Sequence, residues 1–156
     1  MDRLLGVATD DDSTPSVLMA TPSWLLTQSA MHAHRIITEA FAAGNARGYH
    51  YRLLATMAEF GAASQASLGR HTGIDRSDVV AALNELAEQG FVQRAPDPED
   101  GRRNIITVTP AGRRQLKRLD KLVKQAQDEV FAPLSTADRA TLGRLLAQVL
   151  AHHAGS

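Results

Sequence analysis

Nine cationic side chains stand between Arg94 and Lys124 against four carboxylates, in a chain of 156 residues whose formal net charge is zero. The cluster opens with Ala95-Pro96-Asp97-Pro98-Glu99-Asp100-Gly101-Arg102-Arg103, where three carboxylates sit beside two guanidiniums. Two chemistries could use such a run. Paired carboxylates do acid–base work only where burial separates their pKa values, and a hydrophilic turn offers no burial. Guanidiniums bind phosphate best where they are exposed, and the distribution of charge decides this rather than its sum. Anion recognition by Arg102 and Arg103 is therefore the expectation, against the bland reading of solvated loop charges. A second group, Arg76-Ser77-Asp78 with Asn84 further along, follows Asp75 at the start of a helical pattern. Ser64 and Gln65 open another, where they serve either as a cap or as a phosphate ligand at a helix N-terminus. Arg113, Arg114, Lys117 and Arg118 read as a solvated helix face.

Other chemistries find no residues. Cysteine is absent, which removes disulfides, thiolate zinc sites and thiol redox switches. Of the six histidines, His32 and His34 lie two apart and face different ways, His50 and His71 are isolated, and His152-His153 closes a helix. None has the spacing of a zinc site. There is no glycine-rich phosphate loop and no nucleophile–base order, so no enzyme, metal or cofactor is expected. No run approaches the roughly 18 apolar residues of a membrane span, and the start lacks a signal-peptide core. A cytoplasmic protein without a membrane partner is the expectation.

The elements that must position these residues are mostly helical, since aromatics are only 4 % of the chain and Ala and Leu abound. Residues 1–20 lack a sustained period and read as a flexible arm. Thr21-Pro22 is an N-cap and first turn, and apolar spacing continues to Phe41 before Gly44-Asn45. A second helix covers Tyr49 to Phe60, with Leu53, Leu54, Met57 and Phe60 on one face. A short third helix, Ala66 to His71, closes at Thr72-Gly73. Asp75 then caps a fourth, reaching Gln89, with Val79, Ala82, Leu83 and Leu86 inward. Phe91–Arg94 and Asn104–Thr109 are β-prone runs flanking the charged turn, hence a hairpin. Thr109-Pro110 starts a long helix to about Phe131, and Ser135 with Asp138 starts the last, Thr136 to His152.

Two short helices joined by a tight turn and followed by a hairpin form the layout of a winged helix, one helix for the major groove and the hairpin for the neighbouring backbone or minor groove. The sequence resembles the MarR (multiple-antibiotic-resistance regulator) family. The residues that carry the likeness are Asp75-Arg76-Ser77, Leu83, Leu86, Gly90-Phe91-Val92, Arg94, Asp97-Pro98-Glu99-Asp100-Gly101-Arg102 and Thr107-Val108-Thr109-Pro110-Ala111-Gly112.

The resemblance implies a mainly α fold with a small β-wing, a DNA-reading lobe over 49–109 and dimerisation helices over 21–44 and 110–153. It implies a homodimer on a pseudo-palindromic duplex operator, acting as a ligand-responsive repressor. By the same likeness Arg102 enters the minor groove and Asp100 orients its guanidinium. The family's polar positions just beyond Ser77 are Val80 and Ala81 here, so base readout falls to Arg76, Ser77, Asp78 and Asn84, or to thymine methyls against the apolar pair. Gly101 is an extra glycine expected to loosen the tip. A small aromatic or anionic effector would meet Trp24, His32, Arg35, Ile36, Met57 and Phe60, although the four apolar ones among these also suit ordinary core. The alternative is a winged helix that binds protein and not DNA.

Overall fold

The computed structural model describes residues 13–155. Seven helices and three strands follow in the order α1 (Ser16–Met19), α2 (Pro22–Ala43), α3 (Gly48–Phe60), β1 (Ala63–Ser64), α4 (Gln65–Thr72), α5 (Arg76–Glu88), β2 (Val92–Pro96), β3 (Asn104–Val108), α6 (Pro110–Val130) and α7 (Thr136–Ala154). Most of the expected arm lies outside the described residues. Within them, Ser16–Met19 is one helical turn that the lack of period does not foretell. The chain divides into a unit up to His34 and a unit from Arg35 onward, so α2 contributes to both. No described helix is long and apolar enough to cross a membrane.

Caps written in the sequence set the helix ends. The hydroxyls of Ser64, Thr109 and Ser135 accept from the backbone N–H three residues on, at 3.2, 3.0 and 3.1 Å. Asp75 stands at the N-cap position of α5, but its side chain makes no capping bond. Gly73 closes α4 in the left-handed conformation, φ 66°, which a β-carbon would strain.

The core of the second unit forms where one face each of α3, α4 and α5 meets the sheet and α6. Leu53, Leu54, Leu68, Val79, Leu83, Leu86, Ile106 and Leu119 are fully buried, each such side chain contributing about 1.5–3 kcal/mol of apolar transfer. All four inward positions expected of α5, Val79, Ala82, Leu83 and Leu86, are buried. Phe60 is the exception on α3: it is 62 % exposed and stacks on His71 at 4.9 Å between centroids.

The sheet is antiparallel in the order β1-β3-β2. Val92 pairs with Val108 and Pro96 with Asn104, leaving residues 97–103 as the tip. β1 is a two-residue strand opposite Ile105 and Ile106. The start of α6 docks on the hairpin base: Thr109 Oγ1 donates to the Gly90 carbonyl at 2.6 Å and its N–H to that of Phe91 at 3.0 Å. Further along, Gln115 and Arg118 donate to the carbonyls of Gly44 and Ala43 at the end of α2.

Candidate nucleic-acid interface

The turn between α4 and α5 is held from three sides. Thr72 Oγ1 donates to the Leu68 carbonyl at 2.7 Å and accepts from the Ile74 N–H at 3.3 Å. The Gly73 N–H bonds the Gly69 carbonyl at 3.0 Å, and Arg52 reaches across from α3 to the Thr72 carbonyl. The start of α5 is thereby fixed. Its apolar face is buried, and Arg76, Ser77, Ala81 and Asn84 are exposed, with Asp78 and Val80 half-buried. Asn84 Oδ1 accepts from Arg94 Nη2 at 2.8 Å, tying the helix to the first strand of the wing.

The tip of the wing is a braced turn. The Asp97 N–H donates to the Arg103 carbonyl at 2.8 Å, and the Arg103 N–H to the Asp100 carbonyl at 3.0 Å. Asp97 Oδ1 accepts from the Glu99 N–H at 2.9 Å, the local bond that lets Asp nucleate turns. Gly101 has no positive φ, and these bonds surround it. Arg103 folds back on Asp97 at 2.9 Å and lies 3.8 Å from Asp100. Arg102 stands out, its side chain 91 % exposed, with Nε donating to Asp100 Oδ1 at 3.2 Å. That bond, with one from the Arg102 N–H, holds the Asp100 carboxyl below the usual carboxylate range.

Between the wing and the starts of α4 and α5 lies an open hollow of about 730 Å³. Four arginines contribute to its lining, Arg70, Arg76, Arg102 and Arg103, together with Gln65 and Asn104; Asp97 and Asp100, which pair with Arg103 and Arg102, lie outside it. The fold thus brings Ser64, Gln65, Arg76, Arg102 and Arg103 together from three separate stretches of sequence. Ser77, Asp78, Asn84 and Asp100 lie outside its lining. Arg70 is a wall residue that sequence reading missed. Its signal was a cation in the last turn of α4, which also suits the helix dipole and so drew no attention.

The residues expected around an effector have separate fates. Met57 is core, 4 % exposed. Phe60 lines a small hollow of about 270 Å³ with Thr56, His71 and, from the wing, Asp97, Arg103 and Ile105. Arg35 is exposed and pairs with Glu39 at 3.2 Å. Trp24 and Ile36 are half-buried, and His32 is exposed. Among the described residues no three His, Asp or Glu side chains converge as a metal site would require.

A sequence profile described as "MarR family" matches residues 45–103, from the turn after α2 through the wing tip. A solved probable transcriptional regulator from Pseudomonas aeruginosa is 30 % identical, with 85 % of this chain and 98 % of that one superposed at a TM-score of 0.72. The chain belongs to the MarR family. A putative transcriptional regulatory protein for the hcr operon of Thauera aromatica is 35 % identical over 96 residues, 62 % of this chain and 58 % of that protein. The chain thus spans under two thirds of that curated relative. A mutant MarR of E. coli complexed with operator DNA shares the fold, at a TM-score of 0.72 and 21 % identity over 88 % of this chain and 99 % of that one. The MarR-family winged helix is the part of the molecule that carries the arginine-lined hollow, and the profile match covers all of its walls but Asn104.

Proposed function

We propose that this protein is a sequence-specific transcriptional regulator that binds duplex DNA as a homodimer. The observation that carries the reading is the hollow lined by Arg70, Arg76, Arg102 and Arg103, set where the start of α5 meets the wing. A helix fits the major groove, about 12 Å wide, and an exposed guanidinium on a ribbon fits the narrow, electronegative minor groove. Arg76 and Ser77 then face base edges, Val80 and Ala81 contact thymine methyls, Ser64 and Gln65 bond phosphate, and Arg102 enters the minor groove with Asp100 orienting it.

Pairing of two chains is supported by α7. Leu142, Leu145, Leu146, Val149 and Leu150 form a stripe at helical spacing, yet no residue of α7 is buried and Leu150 is 71 % exposed. A second copy would cover it. The finer reading is a repressor released by a small aromatic or anionic effector; exposed Arg35 and Phe60 are the groups available to such a ligand. A coupling of about 1–3 kcal/mol between effector and DNA would serve that regulation.

Titration of the purified protein with the duplex upstream of its own gene and with random duplex, across a salt series, tests the DNA reading. If Arg70, Arg76 and Arg102 in each of two lobes neutralise one phosphate apiece, log K falls against log salt with a slope of about −5. Equal affinity for both duplexes, or binding indifferent to salt, would overturn it.

A further inference from the structure

Of the buried polar side chains described, His50, Thr72 and Gln115, only His50 titrates, and it is 3 % exposed. Its two ring nitrogens are both engaged. The backbone N–H of Arg47, the N-cap of α3, donates to Nδ1 at 3.1 Å. The proton therefore sits on Nε2, which donates to Glu85 Oε2 at 2.6 Å. Glu85 belongs to α5 and lies one turn beyond its exposed Ala81. Arg47 also grips this carboxylate, with Nη2 at 2.8 Å from both oxygens. The charged groups around the ring are these two and Glu88, the next acid along α5, while the end of α2 offers only uncharged Ala42 and Asn45.

This arrangement depends on a neutral ring. A proton on Nδ1 would set donor against donor at the Arg47 N–H, so the N-cap must move, and the Arg47 guanidinium that holds Glu85 moves with it. We propose that His50 is a positioning residue for α5: its neutral imidazole couples the start of α3 to Glu85, and its protonation loosens the helix that discriminates base sequence. The proposal rests on the DNA reading above. The contacts of Val80 and Ala81 with thymine methyls depend on where the Glu85 end of α5 lies, whereas a phosphate contact from the wing does not. Mild acid should therefore erode discrimination while leaving general affinity for duplex. Burial pushes the His50 pKa down and Glu85 pulls it back up, so the change falls below the ordinary histidine range near about 6.5.

The test is the ratio of affinities for the upstream and random duplexes, measured from about pH 8 to about pH 5. The ratio cancels any change in general phosphate binding over the same range. In the wild-type protein it should fall on the order of tenfold, the worth of one buried hydrogen bond. His50→Gln should give a flat profile. Glu85→Gln keeps an acceptor but removes the charge that favours the imidazolium, so its profile should move to lower pH. That shift serves as the readout if His50→Gln fails to fold, and a merely structural histidine would not produce it. The His50 ring nitrogens, followed by NMR, should show the Nε2–H form at neutral pH and lose it over the same range. A pH-independent ratio in the wild type, or profiles that coincide in wild type and Glu85→Gln, overturns this proposal and leaves the DNA reading standing. A wild-type protein with no excess for the upstream duplex at any pH overturns both.

Discussion

At the wing tip two adjacent guanidiniums have different partners, and the difference predicts different phenotypes. Arg103 is committed to Asp97, whose side chain is 10 % exposed, while Arg102 projects with its side chain 91 % exposed. Removing Arg102 costs the folded lobe only a solvent-screened bond to Asp100. Arg102→Ala should keep the wild-type melting temperature and weaken binding to all duplexes, with the salt slope shallower by about 2 in a dimer. Arg103→Ala should instead lower the melting temperature, because Asp97 is left without its cation and the turn loses a strut. Melting curves beside a salt titration check both, and equal effects of the two variants would sink the distinction. His50 makes a further prediction at this scale. Its folded pKa lies below that of the unfolded chain, so the unfolded chain takes up the proton first as pH falls. Its contribution is fully present above about pH 6.5 and is lost in more acidic solution. Glu85, held low chiefly by the bond from Arg47, acts in the same direction further into acid. Melting temperature should be level from about pH 8 to about pH 7 and decline below about pH 6.5, more gently in His50→Gln; a wild-type curve level to about pH 5 would contradict it.

Among elements, the docking of α6 on the wing base explains why a glycine follows Thr109-Pro110-Ala111. A β-carbon at residue 112 would overlap the Phe91 carbonyl and stand 2.8 Å from Val108 Cγ1, and Thr109 anchors the approach from both sides. Gly112→Ala should therefore cost about 2–3 kcal/mol, as overpacking against backbone does. Gly69→Ala, in the interior of α4 with only an ordinary contact at 3.8 Å, should stabilise by about 0.5–1 kcal/mol through helix propensity. Chemical denaturation of the two variants checks the pair; a well-tolerated Gly112→Ala would mean that α6 does not sit this close. The same local logic shows what was legible beforehand. Thr109, Ser135, Ser64 and Gly73 are signals that act within three or four residues, and the helices they bound came out within a residue or two of expectation. What was not legible depends on distance along the chain. β1 is two residues long and exists only by pairing with Ile105 and Ile106. The bond from Arg94 to Asn84, and the grip of Arg47 and His50 on Glu85 from 38 and 35 residues away, leave no local pattern. Phe60 sits on the apolar spacing of α3 yet turns outward, because α3 ends there and the ring finds His71 instead of the core.

For the whole molecule the unanswered question in one chain is what covers α7. Its stripe from Leu142 to Leu150 has the spacing of a buried face, yet Leu145, Val149 and Leu150 are 45, 49 and 71 % exposed. Apolar residues of the first unit, Val17, Met19 and Met31, are likewise 69, 53 and 63 % exposed. Scattered exposed leucines need no explanation, but a continuous stripe on a 19-residue helix does. Pairing two chains through it would also set the separation of two wings, and a separation near one DNA turn, about 34 Å, lets both helices α5 read the same face of a duplex. A charge placed in the stripe should therefore act on DNA affinity without touching the lobe. Leu150→Glu is the sharpest choice, since Leu150 is the most exposed of the set. The variant should run as a monomer by light scattering, retain the helical signal of the lobe, and bind a single half-site about as well as the wild type does. On the full upstream duplex it should lose the gain that two linked lobes provide, which reaches factors of about 10² or more. A wild-type protein that is monomeric at micromolar concentration, or a Leu150→Glu variant that binds the full site undiminished, would show that each winged helix acts alone and that α7 meets some other partner.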